Sequence, residues 1–160
     1  MASNIPTIRQ ISWISIIPQI GFMLALIFIF DKLNVNEPVL YGTITYLIIS
    51  FSLRHFVPKS HREGMKLTKE HKFENAIESY KNSYNFFTEY NWIDKYRFIT
   101  LLSSSKMNYR EMALCNIAFC YSQIGNGLKA IEYYKKTLTE FPENSLAQVG
   151  LKMLTSTENK

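Results

Sequence analysis

The chain has 160 residues, 47% of them hydrophobic, and a formal net charge of +5, which allows one ordinary domain. The charge is unevenly placed: residues 1–57 carry only Arg9, Asp31, Lys32, Glu37 and Arg54, and nearly everything ionic lies beyond them. Much of the basic excess sits in Lys59, Arg62, Lys66, Lys69 and Lys72, directly after the apolar part; this argues against a nucleic-acid partner and for a topology signal or a contact of Lys59, Arg62 and Lys66 with anionic headgroups.

From Gln10 to Phe30 no residue is charged, and Gly21 to Phe30 is almost purely apolar. About 20 such residues span a hydrocarbon core, so residues 10–30 read as a first membrane span, with Pro18 and Gly21 expected to bend or loosen it. A second apolar stretch runs from Pro38 to Leu53 and extends to Phe56 if Arg54 reaches the interface. The short Asp31 to Glu37 connection makes the two a hairpin, with Trp13, Tyr41 and Tyr46 as boundary or packing aromatics. The first stretch is too long for a cleaved leader, and no small-x-small site follows it. With basic residues concentrated after the second stretch, the positive-inside rule places both termini in the cytoplasm of a bacterial inner membrane. The absence of charge within either span argues against an ion path or a proton relay.

Beyond residue 57 the pattern is helical throughout. Ser60 and Glu63, after Pro58, have capping-box spacing. Phe73, Ala76, Ile77, Tyr80, Tyr84 and Phe87 recur at intervals of three and four, with Glu74, Glu78 and Lys81 between them. Asn91 opens a further expected helix from Trp92 to Leu102, ended by Ser103, Ser104 and Ser105. Leu114, Ile117, Ala118, Tyr121 and Ile124 form the next stripe, stopped by Gly125-Asn126-Gly127. Leu128, Ile131, Tyr134, Leu138 and Phe141 form another, stopped by Pro142. Asn144 or Ser145 then opens a last helix through Leu154.

Two stretches repeat each other. Gly64, Leu67, Phe73, Ala76, Ile77 and Tyr80 match Ala118, Tyr121, Gly127, Ala130, Ile131 and Tyr134 at a constant offset of 54. Small residues let the two helices of a hairpin approach, and the aromatics fill the space beside the crossing. Here the sequence resembles the tetratricopeptide repeat family. In the second copy, Glu111 to Asn144, Leu114, Ile117, Ala118, Tyr121, Gly125, Ala130, Tyr134 and Pro142 fall on the family's 34-residue pattern. The first copy, Val57 to Tyr90, matches less of it, Tyr90 to Tyr109 reads as an insertion with its own helix, and Leu146 to Leu154 as a capping helix. The expected fold is therefore all-α: a transmembrane hairpin over residues 1–57, then a cytoplasmic tetratricopeptide-like domain over residues 58–160.

The resemblance implies a concave groove that binds a peptide or helix. Its residues would be Met112, Cys115, Asn116, Phe119 and Ser122 in the second copy, with His61, Met65 and Thr68 in the first. The family's carboxylate-clamping members carry polar residues where Cys115 and Phe119 stand, so an apolar partner segment is the more natural ligand. The expected function is a membrane-tethered protein-interaction adaptor or scaffold; the alternative is an accessory or assembly subunit of a larger membrane complex.

Nothing in the sequence favours an enzyme, a cofactor or a metal. His55, His61 and His71 fit no zinc spacing and read as surface or interfacial residues. Cys115 and Cys120 form no disulfide framework and read as small buried residues in a reducing compartment. Gly125-Asn126-Gly127 lacks the strand and the lysine-serine pair of a phosphate loop. Ser103 to Ser105 reads as a linker, Asp94 and Arg97 as a surface pair, and the many aromatics as core residues rather than a base-stacking platform.

Overall fold

The computed structural model describes residues 12–158; Gln10 and Ile11, with which the first apolar stretch begins, lie outside the described residues. A 3-10 turn at Trp13–Ser15 leads into nine helices among the described residues. They are α1 (Ile16–Lys32), α2 (Pro38–Phe56), α3 (Lys59–Lys69), α4 (Phe73–Glu89), α5 (Asn91–Lys95), α6 (Arg97–Thr100), α7 (Tyr109–Gln123), α8 (Gly127–Glu140) and α9 (Ser145–Glu158). No strand occurs among these residues. The helices form two compact units: Met1–Val57 with Tyr96–Met107, and Pro58–Lys95 with Asn108–Lys160.

In the first unit α1 and α2 are an antiparallel pair. Pro18, expected to bend or loosen the span, falls in the first turn of α1, which starts at Ile16, where a missing N–H leaves no helical bond unmade. Ser15 ends the preceding turn, its Oγ donating to the Ser12 carbonyl at 2.6 Å. Asn34 and Glu37 take left-handed backbone (φ 53° and 61°) and Pro38 opens α2 at its first position. The two helices approach closely at Gly42, where a Cβ would lie 2.7 Å from Ile27 Cγ1 and 2.9 Å from the Ile27 backbone.

Starting at Ile16 leaves α1 with 17 residues, about 26 Å at 1.5 Å per residue, against a hydrocarbon core of about 30 Å. α2 has 19 residues, but Arg54 and His55 occupy its last turn and Thr43, Thr45 and Ser50 dilute its apolar character. Among the described residues no helix is long and apolar enough to cross a membrane.

The expected helix from Trp92 to Leu102 is instead two short pieces, α5 and α6, and its second half belongs to the first unit. There α6 packs on α1, the Ser12 amide donates to the Ser104 carbonyl at 2.9 Å, and the Arg54 guanidinium donates to the Leu102 carbonyl. Leu102 adopts φ 47°, a conformation costing an L-residue about 1–2 kcal/mol; it turns the chain so that this carbonyl meets Arg54.

The second unit is two helical hairpins and a closing helix. α3 pairs with α4 and α7 with α8, α4 packs on α7, and α9 covers α8. Positions related by the offset of 54 have matching environments. Ala76 and Ala130 are both 0% exposed, Tyr80 and Tyr134 are both buried, and a Cβ on Gly64 would come 2.7 Å from the Tyr80 ring. The hairpin turns match too: His71 (φ 60°) and Gly125 (φ 75°) stand at equivalent left-handed positions that close their helices. The Lys72 amide donates to the Leu67 carbonyl and the Asn126 amide to the Tyr121 carbonyl, each at 2.9 Å.

Helix starts differ in how they are capped. Asn108, Asn126 and Asn144 accept from the amides of Glu111 (2.8 Å), Lys129 (3.1 Å) and Ala147 (2.7 Å), the preferred N-cap arrangement. The capping box expected at Ser60 is not formed: α3 begins at Lys59 with Pro58 in the cap position and no side-chain cap bond.

Candidate interaction surfaces

Of the eight residues expected to line a groove, the structure leaves five at the surface. Met65 of α3 is exposed, and Met112, Asn116, Phe119 and Ser122 of α7 are half-buried. The Phe119 ring meets the Phe73 ring edge-on at 6.3 Å, which seats one side of it against the core cluster of Ala76, Ile77, Tyr80 and Ile117. Ser122 turns back on its own helix, its Oγ donating to the Phe119 carbonyl at 2.7 Å.

The other three are enclosed. Thr68 donates to the Gly64 carbonyl (2.8 Å) and lies 3.2 Å from the Tyr80 hydroxyl and 3.7 Å from Cys120 Sγ, so it ties α3 to α4 and α7. Cys115 faces the start of α9, its Sγ donating to Asn144 Oδ1 at 3.4 Å; burial pushes its thiol pKa up to about 12. A thiol kept protonated is a poor nucleophile. His61, read as a surface or interfacial histidine, is 3% exposed between the edges of Tyr80 (5.4 Å) and Tyr109 (5.3 Å), with Ser83 Oγ 3.3 Å from its Nδ1. Burial lowers its pKa to about 4, so it is neutral at neutral pH.

The His61–Ser83 pair has a counterpart at the same offset. Cys115 and Thr137 stand at the equivalent positions, both buried, with the Thr137 hydroxyl donating to the Tyr133 carbonyl at 2.8 Å. Each hairpin thus carries one buried polar pair across its crossing. Extending the sequence comparison from Ala76 and Tyr80 to Ser83 and Thr137 would have found it.

Asp94 and Arg97, read as a surface pair, are both buried, at 1% and 9% exposure. The Asp94 carboxylate accepts from the amides of Tyr109 (2.7 Å) and Arg110 (2.9 Å), capping the positive end of α7 from 15 residues upstream. Arg97 donates to the carbonyls of Ser105 and Lys106 and shapes the loop that follows α6. Neither task has a local sequence signature, because both partners lie across a loop whose path only the fold sets.

Four outward features remain. On α3, Arg62, Met65, Lys66, Lys69 and Glu70 line a shallow depression, and the cations expected at headgroups, Lys59, Arg62 and Lys66, are all exposed. Between α4, α7 and α8, Lys81 Nζ donates to the Tyr121 hydroxyl at 3.3 Å beside the stacked Tyr121 and Tyr133 rings. Arg110 and Tyr84 both hold Glu140, each at 2.6 Å. The largest feature is the α1–α2 pair, whose outer faces present Ile17 (72% exposed), Leu24 (55%), Phe28 (61%), Val39 (61%), Ile48 (61%) and Phe51 (68%). Gly21 and Ala25 are exposed on α1, with nothing within 4 Å of where a Gly21 Cβ would stand. Among the described residues no group of His, Cys, Asp and Glu side chains could hold a metal ion. Compared with protein-family models, with curated proteins and with solved structures, the chain matches none.

Proposed function

We propose that this protein is a membrane-anchored interaction adaptor: the α1–α2 hairpin anchors it in a bilayer and a tetratricopeptide-like helical unit binds a partner segment. The exposed apolar surface of the hairpin carries the reading. Solvent-exposed apolar area on this scale marks a membrane or protein contact, and it lies on both helices rather than in one stripe. Helices of 17 and 19 residues fall a few ångströms short of a full hydrocarbon thickness, a mismatch that local thinning and a reaching Arg54 accommodate. The repeat unit is supported by the matched burial at the offset of 54 and by the twin left-handed turns. Its partner face is the α7 surface of Met112, Asn116 and Phe119, together with Met65 of α3; His61, Thr68 and Cys115 support that face from inside.

Alkaline carbonate treatment of membranes from expressing cells tests the anchor: the protein stays in the pellet, and its release would end the proposal. Affinity capture from detergent extract tests the groove. Phe119→Ala loses the captured partner while thermal melting of the full chain changes little. A large loss of stability would identify Phe119 as core, since such truncations cost about 3–5 kcal/mol, and would remove the groove's main anchor. A second reading, an accessory subunit whose hairpin packs on other membrane helices, is favoured by exposed Gly21 and Ala25 at a spacing that lets helices approach closely. It predicts that Gly21→Leu, not Phe119→Ala, releases the protein from a large complex.

A further inference from the structure

The segment from Tyr96 to Met107 belongs to the same compact unit as the hairpin and lies at one end of it. It meets the start of α1 through the Ser12–Ser104 bond and the end of α2 through Arg54 and the Leu102 carbonyl. That end has two faces. Leu101, Leu102 and Ser103 are buried, whereas Tyr96 (53%), Ile99 (65%), Trp13 (78%) and Phe56 (71%) are exposed. Large aromatics beside aliphatics at a helix end are what the headgroup boundary of a bilayer selects, since a ring can bury its apolar body and keep its polar edge wet.

Charge is sorted along the same axis. The only acidic residues of this unit, Asp31 and Glu37, lie in the turn at the hairpin's opposite end, while Arg54, His55, Arg97 and Lys106 collect at the end held by the Tyr96–Met107 segment. Arg97 is buried on the loop carbonyls, whereas Lys106 is exposed and Arg54, though one of its nitrogens donates to the Leu102 carbonyl, is exposed as well.

The geometry points to the Tyr96–Met107 segment as an interfacial foot: it lies in the headgroup layer of an anionic phospholipid bilayer, with Trp13, Phe56, Tyr96 and Ile99 sunk to the acyl boundary and Arg54 and Lys106 on lipid phosphates. The inference rests on the hairpin being an anchor and adds a second, shallow lipid contact from a part of the chain distant in sequence. Continuity with the apolar belt of α1 and α2 and the sorting of charge choose lipid over a protein partner.

The test uses the full chain reconstituted into phosphatidylcholine vesicles with and without phosphatidylglycerol, carrying a fluorescent label at Ile99→Cys or at Leu47→Cys in the middle of α2. Both native thiols are buried and raised in pKa by burial, which directs a maleimide to the new cysteine. With lipids bearing a nitroxide at the headgroup or at the chain end, the residue 99 label loses most of its fluorescence to the headgroup quencher. The residue 47 label loses it to the chain-end quencher. Phosphatidylglycerol increases quenching at residue 99, and Lys106→Glu reverses the increase. If residue 47 is quenched and residue 99 is not, the foot is refuted and the anchor stands. If neither is quenched, the anchor fails and the foot with it. Quenching at residue 99 indifferent to phosphatidylglycerol and to Lys106→Glu would overturn the assignment to anionic lipid.

Discussion

His61 is the side chain whose surroundings differ most from its sequence context. Its neighbours in the chain are half-buried Ser60 and exposed Arg62, yet one residue's rotation on a helix of 3.6 residues per turn carries His61 into the crossing with α4. Neutral imidazole fits there, against Tyr80, Tyr109 and the Ser83 hydroxyl; imidazolium does not. The linkage follows directly. Above about pH 6.5 both folded and unfolded chains carry a neutral ring, and stability is full. As the pH falls below the unfolded value the unfolded chain takes the proton first, so stability declines by about 1.4 kcal/mol per pH unit until the folded pKa near 4 is reached. Thermal melts of the full chain should therefore fall between pH 6.5 and pH 4. His61→Gln, which keeps a hydrogen bond to Ser83 within reach, should flatten that slope; an unchanged slope would assign the acid sensitivity to another group.

The helices owe their boundaries to a few residues with plain physical roles. Asn108, Asn126 and Asn144 cap three starts, Pro38 opens α2, and the left-handed residues close the hairpins. His71 and Gly125 make a natural comparison because they hold the same conformation at equivalent points of the two hairpins. A Cβ at φ near 60–75° is strained, whereas glycine is not. Gly125→Ala should cost about 1 kcal/mol, and His71→Gly should gain something under that, since glycine also loosens the unfolded chain. Denaturant melts showing His71→Gly clearly destabilised would mean that the ring's contact with Phe73, edge-on at 5.7 Å, outweighs the backbone strain.

For the whole molecule, the proposed anchor and the cations that follow α2 make one expectation. Asn34, in the hairpin turn, should face the side of the membrane opposite to Lys152. An impermeant maleimide applied to intact cells should label Asn34→Cys but not Lys152→Cys, and should label both after lysis. Labelling of Lys152→Cys alone would invert the topology, and labelling of both in intact cells would mean that the hairpin does not cross.

How much of this was legible in the chain depends on the range of the interaction concerned. Helix content, the hairpin turns and the buried Ala76, Ala118, Ala130, Tyr80 and Tyr134 follow from local periodicity and from the internal repeat, because packing two helices closely restricts side-chain size wherever they cross. The start of α1 at Ile16 was missed although Pro18 encodes it, since an uninterrupted apolar run masks a boundary set by one absent N–H. Other features have no local signal at all. Asp94 reaches the α7 amides, Arg97 shapes the loop after α6, Arg54 meets the Leu102 carbonyl, and residues 96–107 join the hairpin across a long stretch of intervening chain. The groove residues divide for the same reason: spacing places Met65 and Phe119 on helices, but only the stacking of α3, α4 and α7 decides that His61 and Thr68 are sealed inside, and only the start of α9 beside α7 that Cys115 is. Short-range order is written in spacing, whereas burial of a polar or charged side chain depends on which distant carbonyl, amide or hydroxyl the tertiary structure brings to meet it.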